Sequence, residues 1–277
     1  MIRIITDSST LYTAEEAKAL GFDAIPLCVT IADLEGRDLT VDMDVFYGKI
    51  SEGHNPMSSQ PPIGEVVDKY EEYSEDEIIN ISMADGLSGT YQSACSAKEM
   101  VDNNDNITVI NSKTLCGPHR YLVEQAQKMK DAGHTKDEII AWVEDRIEKT
   151  ESFLIPQDFD FLRRGGRLTP MAATLGSVLK LKPVMTLTED GKRLDKFAVK
   201  RTMSAAVKTV IEHLKEKGIN ENHLFHVSHA RAEKDALNVK ALLEKEFPGV
   251  EVQILKLGAA FVTQGGPQCV AIQYIEK

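Results

Sequence analysis

Apolar runs of four to eight residues recur through the first half of the chain, and stretches with helical spacing separate them. The runs at residues 3–6, 24–31, 77–83 and 107–110 are typical of buried strands. Strands that alternate with helices in this way form a parallel sheet covered by helices. The first half is therefore predicted to be a parallel α/β domain.

Local signals place the helices and loops between these strands. Thr13 and Glu16 form a capping box that opens a helix, and Gly21 ends it. Further helices are predicted at residues 45–50, from about 90 to 101, 121–132 and 135–149, with an irregular loop at 54–62. Ligands of parallel sheets bind beyond the carboxyl ends of the strands, where Asp7-Ser8-Ser9 and the 84–90 loop would share one crevice.

The second half has a different pattern. Residues 184–187 and 196–199 flank Glu189-Asp190-Gly191, which is a hairpin signal, and helices are predicted at 203–215 and 232–247. A chain of 277 residues is expected to form two domains. We therefore predict an α/β protein with an N-terminal parallel α/β domain at 1–150 and a C-terminal α+β domain at 151–277.

Charge and composition disfavour nucleic acid and membranes as partners of this chain. The chain has 32 basic and 43 acidic residues, a net charge of −11 that disfavours non-specific binding to nucleic acid or to anionic membranes. The N-terminus lacks a signal-peptide pattern, and no run of about 18 apolar residues occurs. We expect a cytoplasmic protein without stable membrane insertion, with four widely spaced and reduced cysteines.

Two hydroxyl-rich segments are candidate binding loops. Ser88 and Thr90 flank a predicted helix start in Gly86-Leu87-Ser88-Gly89-Thr90, and Ser58 and Ser59 precede two prolines. Helix capping and a simple turn are the structural alternatives, and neither excludes ligand binding. Together the loops would offer neutral donors to an acidic group.

A basic glycine segment supplies candidate cations. Arg163, Arg164 and Arg167 surround Gly165-Gly166, and Arg201 follows a predicted strand. An arginine fork binds phosphate with two hydrogen bonds, but a solvated surface turn or a helix start would also explain these residues.

The histidine pattern does not predict a metal site. His223 and His229 would face one side of a strand and His226 the other, so we interpret them as structural and predict no metal site. No nucleotide-binding motif occurs in the chain.

At these motifs the chain resembles the DegV family. Segments in the family's order are Ile5-Thr6-Asp7-Ser8-Ser9, Ser58-Ser59-Gln60-Pro61, Gly86-Leu87-Ser88-Gly89-Thr90, Val109-Ile110-Asn111-Ser112-Lys113 and Phe161-Leu162-Arg163-Arg164-Gly165-Gly166-Arg167. Further matching segments are Leu179-Lys180-Leu181-Lys182-Pro183, Val199-Lys200-Arg201-Thr202 and Val227-Ser228-His229-Ala230. The resemblance covers essentially the whole chain.

The resemblance implies a bacterial fatty acid-binding protein whose two domains enclose one acyl chain in a tunnel between them. Some members act as the binding subunit of a fatty acid kinase, whose catalytic protein phosphorylates the acid to an acyl phosphate for phospholipid synthesis. This chain would then have no catalytic residue and no cofactor, only a bound long-chain fatty acid. We expect it to be a monomer.

Site residues follow from the resemblance by position. Ser58 replaces a carboxylate-binding Thr, Ser88 belongs to the second hydroxyl motif, and Ser59 and Thr90 adjoin them. Arg201 matches a basic residue near the acyl phosphate. The resemblance connects Arg163, Arg164 and Arg167 with the phosphate end or with kinase docking.

Two segments depart from the family pattern. Gln264 stands where many members have a His, and the resemblance places it among the carboxylate-binding residues with Ser58, Ser59, Ser88 and Thr90. With Gln at this position the chain would bind acids yet be a poorer substrate for phosphorylation. Cys116-Gly117-Pro118-His119-Arg120 replaces a run of small residues.

Two other functions compete with the carrier hypothesis. One is a stand-alone phosphotransferase or phosphatase, in which Asp7 would act with Arg163, Arg167 and Arg201. The other is a regulatory module that docks a protein through residues 163–167.

Overall fold

The chain folds into two compact units. A computed structural model describes residues 1–175 and 181–277. The units are Met1–Glu148 and Lys149–Lys277. Each unit has its own buried apolar core, one around Ile5, Tyr70 and Ile78 and the other around Phe153, Val210 and Phe225.

Unit 1 contains seven strands, six α-helices and two short 3-10 helices, at Ser8–Thr10 and Asn104–Asn106. The strands are β1 Ile2–Asp7, β2 Asp23–Ile25, β3 Cys28–Ile31, β4 Leu34–Arg37, β5 Met57–Ser59, β6 Glu77–Ser82 and β7 Ile107–Asn111. The helices are α1 Ala14–Ala19, α2 Met43–Ser51, α3 Ile63–Glu72, α4 Thr90–Lys98, α5 Cys116–Asp131 and α6 Lys136–Ile147.

The main sheet of unit 1 is parallel and has the order β2-β1-β6-β7. The chain leaves β1 toward β2 on one side, whereas β6 leads to β7 on the other side. The strand order therefore reverses between β1 and β6, which is where parallel sheets open a crevice for ligands. The predicted parallel α/β architecture is confirmed.

A second, antiparallel sheet of unit 1 has the order β4-β3-β5. The single strand predicted at 24–31 is wrong, because the chain breaks at Pro26 and enters this sheet at Cys28. Proline has no N–H for a sheet, and the N–H of Leu27 donates to Ser8 Oγ at 3.1 Å instead of to a strand. The predicted 54–62 loop also contains β5, which is too short and polar to show periodicity.

Unit 2 contains six strands and five helices in its described residues. The strands are β8 Thr150–Ile155, β9 Lys182–Leu187, β10 Leu194–Lys200, β11 His223–His229, β12 Glu251–Lys256 and β13 Val270–Glu276. The helices are α7 Phe159–Gly165, α8 Pro170–Ala173, α9 Met203–Glu216, α10 Glu233–Glu246 and α11 Ala259–Gly265.

The sheet of unit 2 has the order β10-β9-β8-β13-β11-β12. Only β11 and β12 pair in parallel, joined through α10, and the other pairs are antiparallel. Helices α9 and α10 pack on one face around Val207, Val239 and Phe225. The predicted hairpin is β9–β10, and the predicted α+β class is confirmed.

The carboxylate of Asp7 joins the ends of β1 and β6. Its Oδ1 accepts the N–H of Ser9 at 2.9 Å, and its Oδ2 accepts the N–H of Met83 at 2.9 Å. The residue is only 2% exposed. A buried carboxylate that receives a backbone N–H at each oxygen fixes both loops that leave the sheet at the reversal point.

Replacing Asp7 by Asn should destabilise unit 1 by about 2 kcal/mol, because an amide nitrogen would then face a buried N–H donor. The only tryptophan of the chain is Trp142 in α6, so its fluorescence during urea unfolding reports on this unit. Asp102→Asn, at an exposed position, is the matched control. Equal unfolding midpoints for the two variants would contradict the assigned role of Asp7.

Candidate functional site

The loop after β6 carries the first hydroxyl segment to the reversal point of the sheet. Ala84 donates its N–H to the carbonyl of Thr114 at 2.9 Å, and Leu87 donates to the carbonyl of Ala84 at 3.3 Å. Gly86 has a φ of +85°, which a residue with a side chain rarely adopts. The loop is thus a tight turn tied to the end of the neighbouring strand.

Ser88 and Thr90 form a hydroxyl pair at the start of α4. Their Oγ and Oγ1 atoms are 2.8 Å apart, and the N–H of Thr90 donates to Ser88 Oγ at 3.3 Å. Gly89 occupies the N-cap, so no side chain caps the helix there. One hydroxyl proton is used within the pair, which leaves the other for an acceptor outside it. Local capping and ligand binding are compatible at Ser88.

The segment that contains Ser58 and Ser59 contacts the loop of Ser88 through the side chain of Gln60. A Cβ atom on Gly89 would lie 3.0 Å from Oε1 of Gln60, so the Gln60 side chain packs on Gly89. Side chains two residues apart along extended backbone share a face, which puts Ser58 on the side of Gln60 and Ser59 on the opposite side. The geometry therefore favours Ser58 over Ser59 as a partner of the Ser88 loop.

The Asp-Ser-Ser turn lies beside this site but is not part of its donor set. Ser8 Oγ donates to Asp38 Oδ2 at 3.0 Å, and Ser9 Oγ contacts His119 Nδ1 at 2.6 Å. Both serines are at most 1% exposed. The expectation that these hydroxyls line a common ligand crevice is wrong, because the core uses them internally.

His119 is a buried polar residue. In the sequence it stood out only as part of the 116–120 segment, which departs from the family pattern. Its Nε2 lies 3.0 Å from the carbonyl of Ile81, so this nitrogen carries the proton and Nδ1 accepts the hydroxyl of Ser9. Burial lowers the pKa of His119, although the nearby charge of Asp7 opposes this shift. The residue is neutral and connects α5 to the ends of β1 and β6.

The basic glycine segment in unit 2 consists of the end of α7 and the turn that follows. Arg163 forms an ion pair with Asp160 at 2.9 Å, and the guanidinium of Arg164 lies 4.7 Å from the ring centroid of Phe161. Arg167 donates to the carbonyl of Gly165. These contacts keep the side chains close to the turn and leave Arg163 half exposed.

Gln264 lies against this same segment. It belongs to α11, and a Cβ on Gly165 would overlap its Oε1 atom. Only glycine therefore fits at 165 while Gln264 keeps this position. The Cys269 thiol packs nearby, where a Cβ on Gly265 would lie 2.8 Å from Sγ, and burial raises the pKa of this thiol to about 12. The thiol is unreactive at neutral pH.

Arg201 is exposed in the turn between β10 and α9. Thr202 caps α9 by accepting the N–H of Ala205 at 3.1 Å, whereas Arg201 forms no ion pair with residues 1–175 or 181–277. Positions 179 and 180 of the Leu179–Pro183 motif lie outside the described residues.

Charge is divided unequally between the units. Residues 1–148 have 12 basic and 28 acidic side chains, net −16, whereas residues 149–277 have 20 basic and 15 acidic ones, net +5. The basic segment and Arg201 both belong to the positive unit. Although the whole chain is negatively charged, unit 2 has a net positive charge, which favours the binding of anionic groups.

Comparison with known proteins identifies the family. The family model described as "Uncharacterised protein, DegV family" matches residues 1–277. The chain belongs to the DegV family. Protein DegV of Bacillus subtilis is 32% identical over 284 residues, a match that covers 100% of this chain and 99% of the relative. The resemblance found in the motifs is thus confirmed.

Solved structures of DegV proteins share the fold. A fatty acid-binding DegV protein from Bacillus subtilis matches with a TM-score of 0.86 and 30% identity, covering 100% of this chain and 99% of the other. A DegV family protein from Thermus thermophilus, described as binding fatty acid, matches with a TM-score of 0.90 and 23% identity over the same shares. Both matches extend over both units.

Residues 1–175 and 181–277 include no cluster of three or more side chains suited to a metal ion. Within the same ranges, every helix is too short or too polar to cross a membrane. His229 has a structural role, since its Nδ1 accepts the N–H of Ala232 at 3.1 Å.

The buried His119 predicts a specific pH dependence of stability. The pKa of His119 is lower in the folded than in the unfolded chain, so its contribution is complete above about pH 6.5 and falls as the pH drops below that value. His119→Gln should flatten this fall by up to about 1.4 kcal/mol per pH unit. Urea unfolding of both proteins at pH 7.5, 6.5 and 5.5, followed by Trp142 fluorescence, measures it. Parallel pH profiles would contradict this assignment.

Proposed function

We propose that this protein binds a long-chain fatty acid and holds its carboxylate with the hydroxyl groups of Ser58, Ser88 and Thr90 in unit 1. The observation that supports this proposal is the packing of Gln60 on Gly89, because it brings the segment that carries Ser58 close to the loop of Ser88 and Thr90. The full-length match to the Bacillus subtilis fatty acid-binding protein supports the choice of ligand.

Neutral donors suffice to hold a carboxylate if the tail supplies most of the affinity. Burying about 14 methylene groups at about 0.8 kcal/mol each contributes roughly 11 kcal/mol before the entropic costs of binding. Hydrogen bonds from hydroxyls then orient the head group and satisfy its charge. This division of roles fits a site with hydroxyl pairs and no buried cation among the described residues of unit 1.

Ser88→Ala should weaken fatty acid binding about tenfold, because it removes a hydrogen bond to a charged acceptor. Displacement of a fluorescent fatty acid from delipidated protein measures the affinity. Ser96→Ala is the control, since Ser96 lies exposed on the same helix and donates to the carbonyl of Gln92 at 2.9 Å. Equal affinity of the two variants would count against a head-group role for Ser88.

We further propose that the bound acid is presented to a separate fatty acid kinase, which phosphorylates it to an acyl phosphate for phospholipid synthesis. The chain has no nucleotide-binding motif, so the partner would supply ATP and catalysis. The positive charge of unit 2 suits either the phosphate end or the docking of a partner. The proposal places the protein in the cytoplasm, where ATP is available.

Gln264, in place of the family's His, would affect phosphorylation of the bound acid more than binding of the acid. An amide can donate to an oxyanion but cannot carry positive charge. Because Gly165 and Gln264 are packed together, the amide stays beside the basic segment. We therefore propose that acid binding is retained while phosphoryl transfer depends more strongly on Arg201.

Arg201→Ala should leave fatty acid affinity within about twofold of wild type and reduce acyl phosphate formation by the partner kinase by at least about tenfold. The exposed Lys208→Ala on α9 removes an equal charge away from the turn and serves as the control. A parallel loss of acid binding would place Arg201 at the carboxylate instead. An unchanged rate of phosphorylation would remove Arg201 from the phosphate end.

The phosphotransferase alternative receives no support from the structure. Asp7 would have to act as its nucleophile or base, yet each carboxylate oxygen already accepts a backbone N–H and the residue is 2% exposed. The regulatory-module alternative accounts for the basic segment but not for the hydroxyl pair of Ser88 and Thr90.

A further inference from the structure

The amide of Gln60 lies flat on the backbone of Gly89. A Cβ at Gly89 would be 3.0 Å from Oε1, 3.2 Å from Cδ and 3.4 Å from Nε2 of Gln60. Three nearly equal distances mean that the face of the amide, and not one end of it, covers the glycine. The position is closed to any larger residue at 89 unless the amide moves.

Gln60 is held in place by its own backbone. It directly follows β5 on one side and precedes Pro61 on the other, and a residue before proline is confined to extended conformations. The stacking on Gly89 then restricts the side chain. Its amide is therefore positioned before a ligand arrives, which lowers the entropic cost of a contact.

The polar edges of this amide are unused by the protein. Gln60 is exposed, and its side chain makes no hydrogen bond with residues 1–175 or 181–277. Its neighbour Gln92 behaves differently, because its Nε2 donates to Asp85 Oδ2 at 3.2 Å. A fixed amide with a free N–H edge beside a hydroxyl pair is a ready donor for an oxygen ligand.

We infer that Gln60 contacts the head group directly and that its Nε2 donates to the fatty acid carboxylate alongside Ser88. A carboxylate only accepts hydrogen bonds, so the amide must present its N–H edge to it. Gly89 sets the position of this donor. The inference rests on the proposed carboxylate site and adds Gln60 as a residue that selects an acid over a neutral head group.

The decisive variants are Gln60→Ala and Gln60→Glu. The glutamate keeps the shape that covers Gly89 but places a negative charge against the ligand. We expect the alanine to weaken acid binding about 3- to 10-fold and the glutamate at least about 30-fold, through the lost hydrogen bond and the added repulsion. Asn55→Asp adds the same charge at an exposed position just before β5 and should change affinity less than twofold.

Each variant is titrated with palmitic acid and with the matching alcohol, hexadecanol. A head-group contact predicts that Gln60→Glu binds hexadecanol as wild type does, so the acid-to-alcohol preference falls. Equal losses for acid and alcohol, or a glutamate variant that binds acid normally, would overturn the inference and leave Gln60 as packing. Wild-type protein that binds neither ligand would overturn the proposed function itself.

Discussion

The carboxylate of Asp7 is the contact on which the geometry of unit 1 depends. It receives one backbone N–H from the turn after β1 and one from the residue that follows β6. Parallel sheets open at the point where the strand order reverses, and Asp7 ties that point together. The loops beyond it can then carry hydroxyls at fixed positions. His119 supports the same junction from α5 through Ser9 and the carbonyl of Ile81.

Both units place a glutamine amide over a glycine. In unit 1 the face of the Gln60 amide covers Gly89, and in unit 2 the Oε1 atom of Gln264 points at Gly165. In each case the absence of a Cβ lets a neutral polar group approach backbone that carries other ligand-binding candidates. The two contacts explain physically why glycine stands between hydroxyls in one motif and between arginines in the other.

The pattern of apolar residues predicted the parallel sheet, the β9–β10 hairpin and most helices, because those elements have strong periodicity or turn signals. It failed at residues 24–31, where Pro26 divides one apolar run between two sheets. The strands β8, β12 and β13 were not predicted, because their mixed patterns of burial lack the regular alternation that periodicity detects. At the site, motif and composition selected Ser88 and Thr90, but the contact of Gln60 with Gly89 depends on two segments meeting in space.

Mass spectrometry of the intact protein, purified from a bacterial host, shows directly whether the chain carries a fatty acid. We expect one fatty acid per chain under native conditions, released on denaturation and recovered in an organic extract. Protein that carries no lipid, and that also fails to bind added long-chain acids after delipidation, would show that the chain is not a fatty acid-binding protein.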